Sequence, residues 1–203
     1  MISHGKTKWI LAFTLMNALA LSGCAGTIKN MQPFEGDPAT LVPESDKAMI
    51  VFLRPSTLGF AVQSSVFNAT EDTPDLVGIV AAKAKVAYQL DPGDYLFMVI
   101  GESADFMTAS VAAGKTYYVL VTPRMGAWKA RFSLRPVALP DQNREEMDEW
   151  LENCSWVEKN AASDTWAASN IADIQDKQAR YYTKWMEKNE SDRPRLTSED
   201  GIL

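Results

Sequence analysis

The feature that most constrains the fold of this 203-residue chain is a series of short apolar segments between Lys47 and Leu139. These segments are rich in β-branched and aromatic residues, which suit a pleated and half-buried strand. Met49–Leu53 is apolar at every position, as expected of a strand that is covered on both faces. The other candidate strands are Val62–Phe67, Leu76–Ala81, Val86–Leu90, Tyr95–Ile100, Tyr117–Val121 and Ala130–Leu134. We therefore expect about seven or eight short strands in this region.

Turn signals separate these segments. In Asp91-Pro92-Gly93-Asp94, Pro and Gly stand where a type II turn requires a fixed φ followed by a positive φ. Ala113-Gly114-Lys115 supplies a second turn. Strands and turns at this spacing predict a mainly β fold, an antiparallel β-sandwich domain in residues 47–139. Periodicity alone leaves a β-barrel open as the alternative.

The pattern changes to helical spacing beyond Pro140. Met147, Trp150, Leu151 and Cys154 fall on one stripe of a helix. A second helix is expected from about Asp164 to Lys188, with heptad-like spacing of its apolar positions. Those positions are Ala167, Ile171, Ile174, Gln178, Tyr181 and Trp185. We predict a two-helix appendage in residues 140–190, followed by a flexible tail in residues 191–203.

Residues 1–23 have the plan of a secretory leader. Lys6 and Lys8 form a basic start, and the apolar run from Trp9 to Leu21 has 13 residues. That run is shorter than the roughly 20 residues that a membrane-spanning helix needs, and it suits the apolar region of a signal peptide. We predict cleavage before Cys24, which leaves residues 24–46 as a lipidated cysteine and a flexible tether rich in Gly and Pro.

The four residues Leu21-Ser22-Gly23-Cys24 resemble the lipobox of bacterial lipoproteins. The thiol of Cys24 is the nucleophile that can take a diacylglycerol thioether, and the small residues before it let a peptidase reach the backbone. The resemblance implies that the freed amine of Cys24 receives a further acyl chain such as palmitate. Each buried methylene adds about 0.8 kcal/mol, so two or three chains anchor far more firmly than one. An ordinary signal peptide and an uncleaved N-terminal helix are the alternatives.

The residues around the lipobox also bear on location. Ala25 follows Cys24, whereas an Asp at that position resembles an inner-membrane retention signal. We expect attachment to the periplasmic side of the outer membrane, with the inner membrane and the cell surface as alternatives. The formal net charge of −6 disfavours binding to nucleic acid and to anionic lipid headgroups. Lipid on Cys24 is therefore the expected contact with the membrane, and another envelope protein is the expected partner.

The middle of the chain resembles an uncharacterised family of lipoprotein-type β-sandwich domains. Three elements carry the likeness: Arg54-Pro55-Ser56, Leu90-Asp91-Pro92-Gly93-Asp94-Tyr95, and Ala112-Ala113-Gly114-Lys115-Thr116-Tyr117-Tyr118-Val119. The resemblance covers about 90 residues, under half of the chain. The connection from Asn68 to Asp75 is longer than the hairpin usual in the family and lacks its glycine. The resemblance implies a fold and an envelope location, and no reaction.

The amino-acid composition disfavours most kinds of catalytic site. The one histidine, His4, lies in the predicted leader, so the mature chain lacks the commonest general base and the usual transition-metal ligand. Gly114-Lys115-Thr116 lacks the upstream glycine of a phosphate-binding loop, because that position is Ala109. A strand is also expected after it instead of a helix, so a plain hairpin turn is the better interpretation. We expect no enzyme, no cofactor and no metal, and a hydrolase based on serine and lysine is the catalytic alternative.

Two further features have a structural and a functional interpretation. The carboxylates of the first helix suggest a solvated face, or else a weak divalent-cation site. They belong to Glu145, Glu146, Asp148, Glu149 and Glu152. Cys154 lies on the apolar stripe, which predicts a buried and inert thiol over a reactive one.

The aromatic residues after Pro140 are the remaining candidate site. They are Trp150, Trp156, Trp166, Tyr181 and Trp185, with Tyr182 beside them. Helix packing explains many of them, and they could also form an interaction surface, since aromatic residues are enriched at interfaces. Three functions follow from these observations. The first is a non-catalytic envelope protein that contacts another protein, the second is a glycan- or peptidoglycan-binding module, and the third is a hydrolase.

Overall fold

The structure is a computed structural model that describes residues 29–124, 130–138 and 144–203. The predicted leader and Cys24 lie outside these residues. The fold is mainly β, with 41% strand against 26% helix. In chain order the strands are β1 (Met31–Pro33), β2 (Ala48–Arg54), β3 (Ser64–Asn68), β4 (Asp75–Val80), β5 (Ala84–Leu90), β6 (Gly93–Ile100), β7 (Ala104–Val111), β8 (Thr116–Arg124), β9 (Arg131–Pro136), β10 (Ser155–Lys159) and β11 (Arg195–Leu196). The helices are α1 (Arg144–Glu152), α2 (Ala161–Ser169) and α3 (Ile171–Met186).

The strands form two sheets that enclose one core. One sheet has the order β1-β10-β5-β2-β8-β9, and the other has the order β11-β7-β6-β3-β4. Alternate residues of both sheets point inward, and the rings of Phe52 and Phe97 meet there with their centroids 5.2 Å apart. The predicted covering of Met49–Leu53 on both faces is confirmed, because every residue of β2 is buried.

The expectation of a strictly antiparallel sandwich is wrong, because both sheets are mixed. The pairs β2–β8, β5–β10 and β7–β11 are parallel. Between β2 and β8 the chain crosses into the second sheet twice, for β3–β4 and again for β6–β7, and the neighbouring strands β2 and β8 run in the same direction. The described residues hold eleven strands, more than the seven or eight expected. None of the expected segments corresponds to β1, β7, β10 or β11. Strands β1 and β11 have three and two residues, too few for a periodic signal, and Asp105, Thr108 and Ser110 interrupt the apolar residues of β7.

The glycine turn before β8 is where expected, but it is not a hairpin. Gly114 has a φ of 73°, and a strand follows it, in agreement with rejecting a phosphate-binding loop. Strands β7 and β8 lie in different sheets, so the turn carries the chain across the sandwich. The turn at Gly93, whose φ is 154°, makes the same kind of crossing between β5 and β6. Turn chemistry reveals where the chain reverses and does not reveal which strands then pair.

The C-terminal segment is more than a two-helix appendage. Helix α1 covers the outer face of the six-stranded sheet, where Met147 packs with Leu53 and Leu120. Helices α2 and α3 cover the outer face of the five-stranded sheet through Ile174 and Trp185. The second expected helix is divided at Asn170, which ends α2 and begins α3, and β10 lies between α1 and α2. The helices therefore fold back on the sandwich and do not project from it.

The structure also differs from the expected tether and tail. Within residues 24–46, Met31 is 4% exposed and β1 pairs with β10. Within residues 191–203, Leu196 is fully buried and β11 pairs with β7. Short strands that complete a sheet edge depend on distant partners, so local composition does not indicate them. In the described part of the chain, no helix combines the length and the apolar character needed to cross a bilayer.

Candidate functional site

The five aromatic residues proposed as an interaction surface lie on two opposite sides of the molecule. Trp150 packs beside the cluster beneath α1, and Trp156 lies on β10 of the six-stranded sheet. Trp166, Tyr181 and Trp185 lie on the side of the five-stranded sheet. Trp185 is only 4% exposed, and its ring packs on Phe106. The five therefore do not form one continuous surface.

A cleft lies where α2 meets α3, and we call it the Trp166 cleft. It has a volume of about 780 Å³. Its apolar wall comes from Phe67, Ile100, Trp166 and Ile174, and Glu102 lies among its polar lining residues. The Glu102 Oε2 atom is buried, has no hydrogen-bond partner and lies 3.8 Å from the Nε of Arg131 in an ion pair. The cleft thus combines a mainly apolar wall with a carboxylate that is paired with Arg131.

A loop held by a buried arginine forms one rim of this cleft. Arg54 ends β2 and is fully buried, and its guanidinium donates to three carbonyl oxygens of the loop. The distances are 2.7 Å to Val62, 2.9 Å to Leu58 and 2.8 Å to Gly59. Burial lowers the pKa of Arg54 to about 10, so the side chain stays charged at neutral pH. The arginine therefore gives the loop a defined shape without an acidic partner.

The same loop exposes two large apolar side chains. Leu58 is 51% exposed and Phe60 is 76% exposed, while Leu58 and Gly59 line the Trp166 cleft. No sequence pattern identified them, because neither residue belongs to an alternating or helical stripe. An exposed aromatic ring on a loop with fixed hydrogen bonds is a preorganised contact for a partner.

The second open region is a groove along α3, which we call the Tyr182 groove. It consists of two adjoining cavities of about 660 Å³ and 470 Å³ that share Thr70, Leu96 and Tyr182 as lining residues. Tyr182 is 38% exposed, and its ring stacks on Trp185 with an interplanar angle of 21°. Trp185 also lines the groove. Trp185, one of the five aromatic residues predicted as an interaction surface, therefore lies in the wall of this groove beside Tyr182.

A buried carboxylate fastens α3 and its flanking chain to the sandwich. Asp105 is 4% exposed and receives hydrogen bonds from Lys188, at 2.8 Å, and from Arg124, at 3.0 Å. Ser133 also donates to this carboxylate. The three donors come from three different parts of the chain, so Asp105 joins β7, β8, β9 and the end of α3. The arrangement is a structural clamp, because all of its charges are satisfied within the protein.

Lys85 and Cys154 lie together between α1 and the six-stranded sheet. The Lys85 amine donates to the carbonyl of Leu151 and lies 4.6 Å from the ring centroid of Trp156. Burial lowers the pKa of Lys85 and raises the pKa of the Cys154 thiol above 9.0. The prediction that Cys154 is buried is confirmed, at 4% exposure. A buried neutral thiol is a poor nucleophile, and no serine is among the groups that the Lys85 amine contacts here.

The acidic residues of α1 lie on its exposed side, opposite the buried Met147. Among residues 29–124, 130–138 and 144–203, no group of three acidic, cysteine or histidine side chains is arranged to hold a metal ion. In comparisons with known proteins, no family model matches this chain, and no curated protein matches it either. Within the described residues, the exposed loop and the two open regions are the candidate sites.

Proposed function

We propose that this chain is a lipid-anchored, non-catalytic protein of the bacterial cell envelope that binds another envelope protein. The observation that carries the proposal is Leu21-Ser22-Gly23-Cys24, directly after an apolar run of 13 residues and a basic start. The likeness to the lipobox supports lipid on Cys24 and a periplasm-facing position on the outer membrane. A mature chain without histidine supports a binding role over catalysis.

If Cys24 carries the lipid, only a short segment joins the lipid to the folded domain. Met31 is buried in the fold, and it is only seven positions after Cys24. Seven residues of fully extended chain span at most about 25 Å. A lipid on Cys24 would therefore hold the domain close to the membrane surface. Partners attached to the same membrane are the ones within its reach.

The exposed loop at Leu58 and Phe60 supports contact with a protein. Exposed aromatic and aliphatic side chains are the usual anchors of protein interfaces. Three hydrogen bonds from Arg54 hold this loop, so little conformational entropy is lost when a partner binds. The apolar residues of α3 are less suited to contact a protein partner, because Ile174 and Trp185 are buried against the sheet.

Photocrosslinking in living cells tests this proposal. A photoreactive amino acid at position 60 should give one crosslinked protein, while the same amino acid at position 42 should not. Val42 is a suitable control, because it is 63% exposed and lies outside the loop. The captured protein, once purified, should bind the wild-type chain and lose most of its affinity for Phe60→Ser. Equal crosslinking at both positions, or unchanged affinity of Phe60→Ser, would contradict the proposal.

A second candidate function is binding of envelope glycan. The observation that favours it is the Tyr182 groove, where an exposed tyrosine ring borders cavities lined by hydroxyl and amide side chains. Aromatic rings pack on the apolar faces of sugar rings, while such polar groups bond their hydroxyls. Co-sedimentation with insoluble peptidoglycan tests this candidate. Tyr182→Ala should reduce the bound fraction and Phe60→Ser should not, whereas equal reduction by both would count against it.

A further inference from the structure

The Tyr182 groove contains two buried hydrogen-bond donors without an acceptor. They are the indole Nε1 of Trp185 and the guanidinium Nε of Arg193, and both side chains line the larger cavity. A buried donor that loses its water partner costs about 1–3 kcal/mol, so such groups are usually satisfied. Both groups only donate. Both atoms are covered in this structure, so a ligand bonds to them only where the side chains rotate toward the groove, and it must then supply acceptor oxygens.

Arg193 also has no acidic partner in the part of the chain that the structure describes. Its guanidinium lies 5.4 Å from the Trp185 ring centroid, and one Nη donates to the sulfur of Met186 at 3.3 Å. Arg195 lines the same cavity. A planar guanidinium binds a carboxylate through two parallel hydrogen bonds, which makes a carboxylate a well-matched ligand group.

The rest of the lining suits a sugar. Thr108 presents a hydroxyl, and Asp94 and Glu190 present carboxylates that can accept from sugar hydroxyls, while the hydroxyls of Thr70 and Ser110 already donate to Asn68 and Asp94. Tyr182 provides an exposed ring at the point where the two cavities join. Because the second cavity continues along α3 past Gln175 and Gln178, the groove has room for more than one sugar unit.

We infer that the Tyr182 groove binds a saccharide that carries a carboxylate, with Arg193 holding the carboxylate and Tyr182 packing on the sugar ring. This inference rests on the second candidate function, glycan binding, and adds the chemical class of the ligand. It does not depend on the protein partner proposed for the Phe60 loop. A neutral saccharide would fill the groove and leave the Arg193 charge without a partner.

Calorimetric titration of the mature protein in detergent tests the inference. The probes form matched pairs that differ by a carboxylate: N-acetylmuramic acid against N-acetylglucosamine, and glucuronic acid against glucose. The acidic member of each pair should bind more tightly by about tenfold, the amount expected from one charge-assisted hydrogen-bonded pair. In nuclear magnetic resonance spectra, the Trp185 indole N–H signal should shift on addition of the acidic sugar.

Two variants test which side chains recognise the carboxylate and the sugar. Arg193→Gln should lower affinity for the acidic sugars by about tenfold and leave the neutral sugars unchanged. Trp185→Phe removes the indole donor and keeps an aromatic ring, so it should weaken both kinds of sugar. Arg180→Gln is the matched control, because Arg180 lies on α3 in a surface pair with Asp176 and does not line the groove. It should change neither affinity.

Different results of these titrations would overturn carboxylate recognition alone or glycan binding as a whole. Equal affinity for acidic and neutral sugars would overturn carboxylate recognition and leave glycan binding standing. No binding of any sugar or of peptidoglycan would overturn both. An unchanged preference for acidic sugars in Arg193→Gln would contradict the assignment of the carboxylate to this residue.

Discussion

The guanidinium of Arg54 lies 4.7 Å from the centroid of the Phe132 ring, so a cation and an aromatic ring of different strands meet inside the protein. The same guanidinium binds three loop carbonyls. Cation–π contact and hydrogen bonds together compensate for burying a charge that has no ion pair in the described residues. Arg54 is therefore the residue that fixes the loop bearing Leu58 and Phe60.

Arg54→Lys should destabilise the domain by about 2–3 kcal/mol, because an ammonium cannot reach three carbonyls with the geometry of a guanidinium. Urea denaturation measures this change, with Arg180→Lys at a surface ion pair as the control. The control should shift stability by less than about 0.5 kcal/mol. Equal effects of the two variants would show that Arg54 does not organise the loop.

The clamp at Asp105 gives a second prediction. Asp105→Asn should lower stability by about 2 kcal/mol or more, because Lys188 and Arg124 lose a buried anionic acceptor. Asp176→Asn makes the same chemical change at an exposed pair with Arg180 and should cost less than about 0.5 kcal/mol. Hydrogen exchange should also quicken in α3 of the Asp105 variant only. Unchanged exchange there would contradict the clamp.

The C-terminal strand gives a third prediction. Leu196→Ala should destabilise the protein by about 2–4 kcal/mol, because Leu196 is fully buried in the core between the sheets. Leu203→Ala is the matched control, since Leu203 is fully exposed. Thermal unfolding should place the control within experimental error of the wild type. A stable Leu196→Ala variant would mean that β11 is not part of the cooperative fold.

Stability should fall in alkaline solution. Burial raises the pKa of Tyr88, Tyr95, Tyr117 and Tyr118 above the ordinary value of 10.0. A raised pKa in the folded state means that the folded chain holds these protons longer than the unfolded chain. The free energy of unfolding should therefore be unaffected by these groups below pH 10 and decrease as the pH rises through it. Tyr118→Phe should make that decrease shallower, and an equal slope would contradict the assignment.

Sequence reasoning identified the elements that have strong local signals. The apolar segments located seven strands, β2 to β6, β8 and β9, and the helical stripe of Met147, Trp150 and Leu151 located α1, which ends at Glu152 before it reaches Cys154. Gly93 and Gly114 marked two chain reversals, because positive φ angles favour glycine. These features depend on neighbours within a few residues.

The features that the sequence did not reveal depend on distant contacts. Strands β1, β10 and β11 are defined only by the strands beside them. The burial of Arg54, the clamp at Asp105 and the unsatisfied donor of Arg193 arise from segments that meet only in the folded chain. The fold divides the five aromatic residues predicted as a surface into two and three, because α1 and β10 belong to the side of the six-stranded sheet and α2 and α3 to the side of the five-stranded sheet.

Acyl labelling at Cys24 tests the proposed lipid anchor. Cells that express the chain are grown with a palmitate analogue that can be detected on a gel. The wild type and Cys154→Ser should be labelled and recovered with the membrane, while Cys24→Ser should be unlabelled, because of the two cysteines only Cys24 follows a sequence that resembles a lipobox. Label on Cys24→Ser, or an unlabelled wild type, would contradict the claim that this protein is held to a membrane by lipid on Cys24.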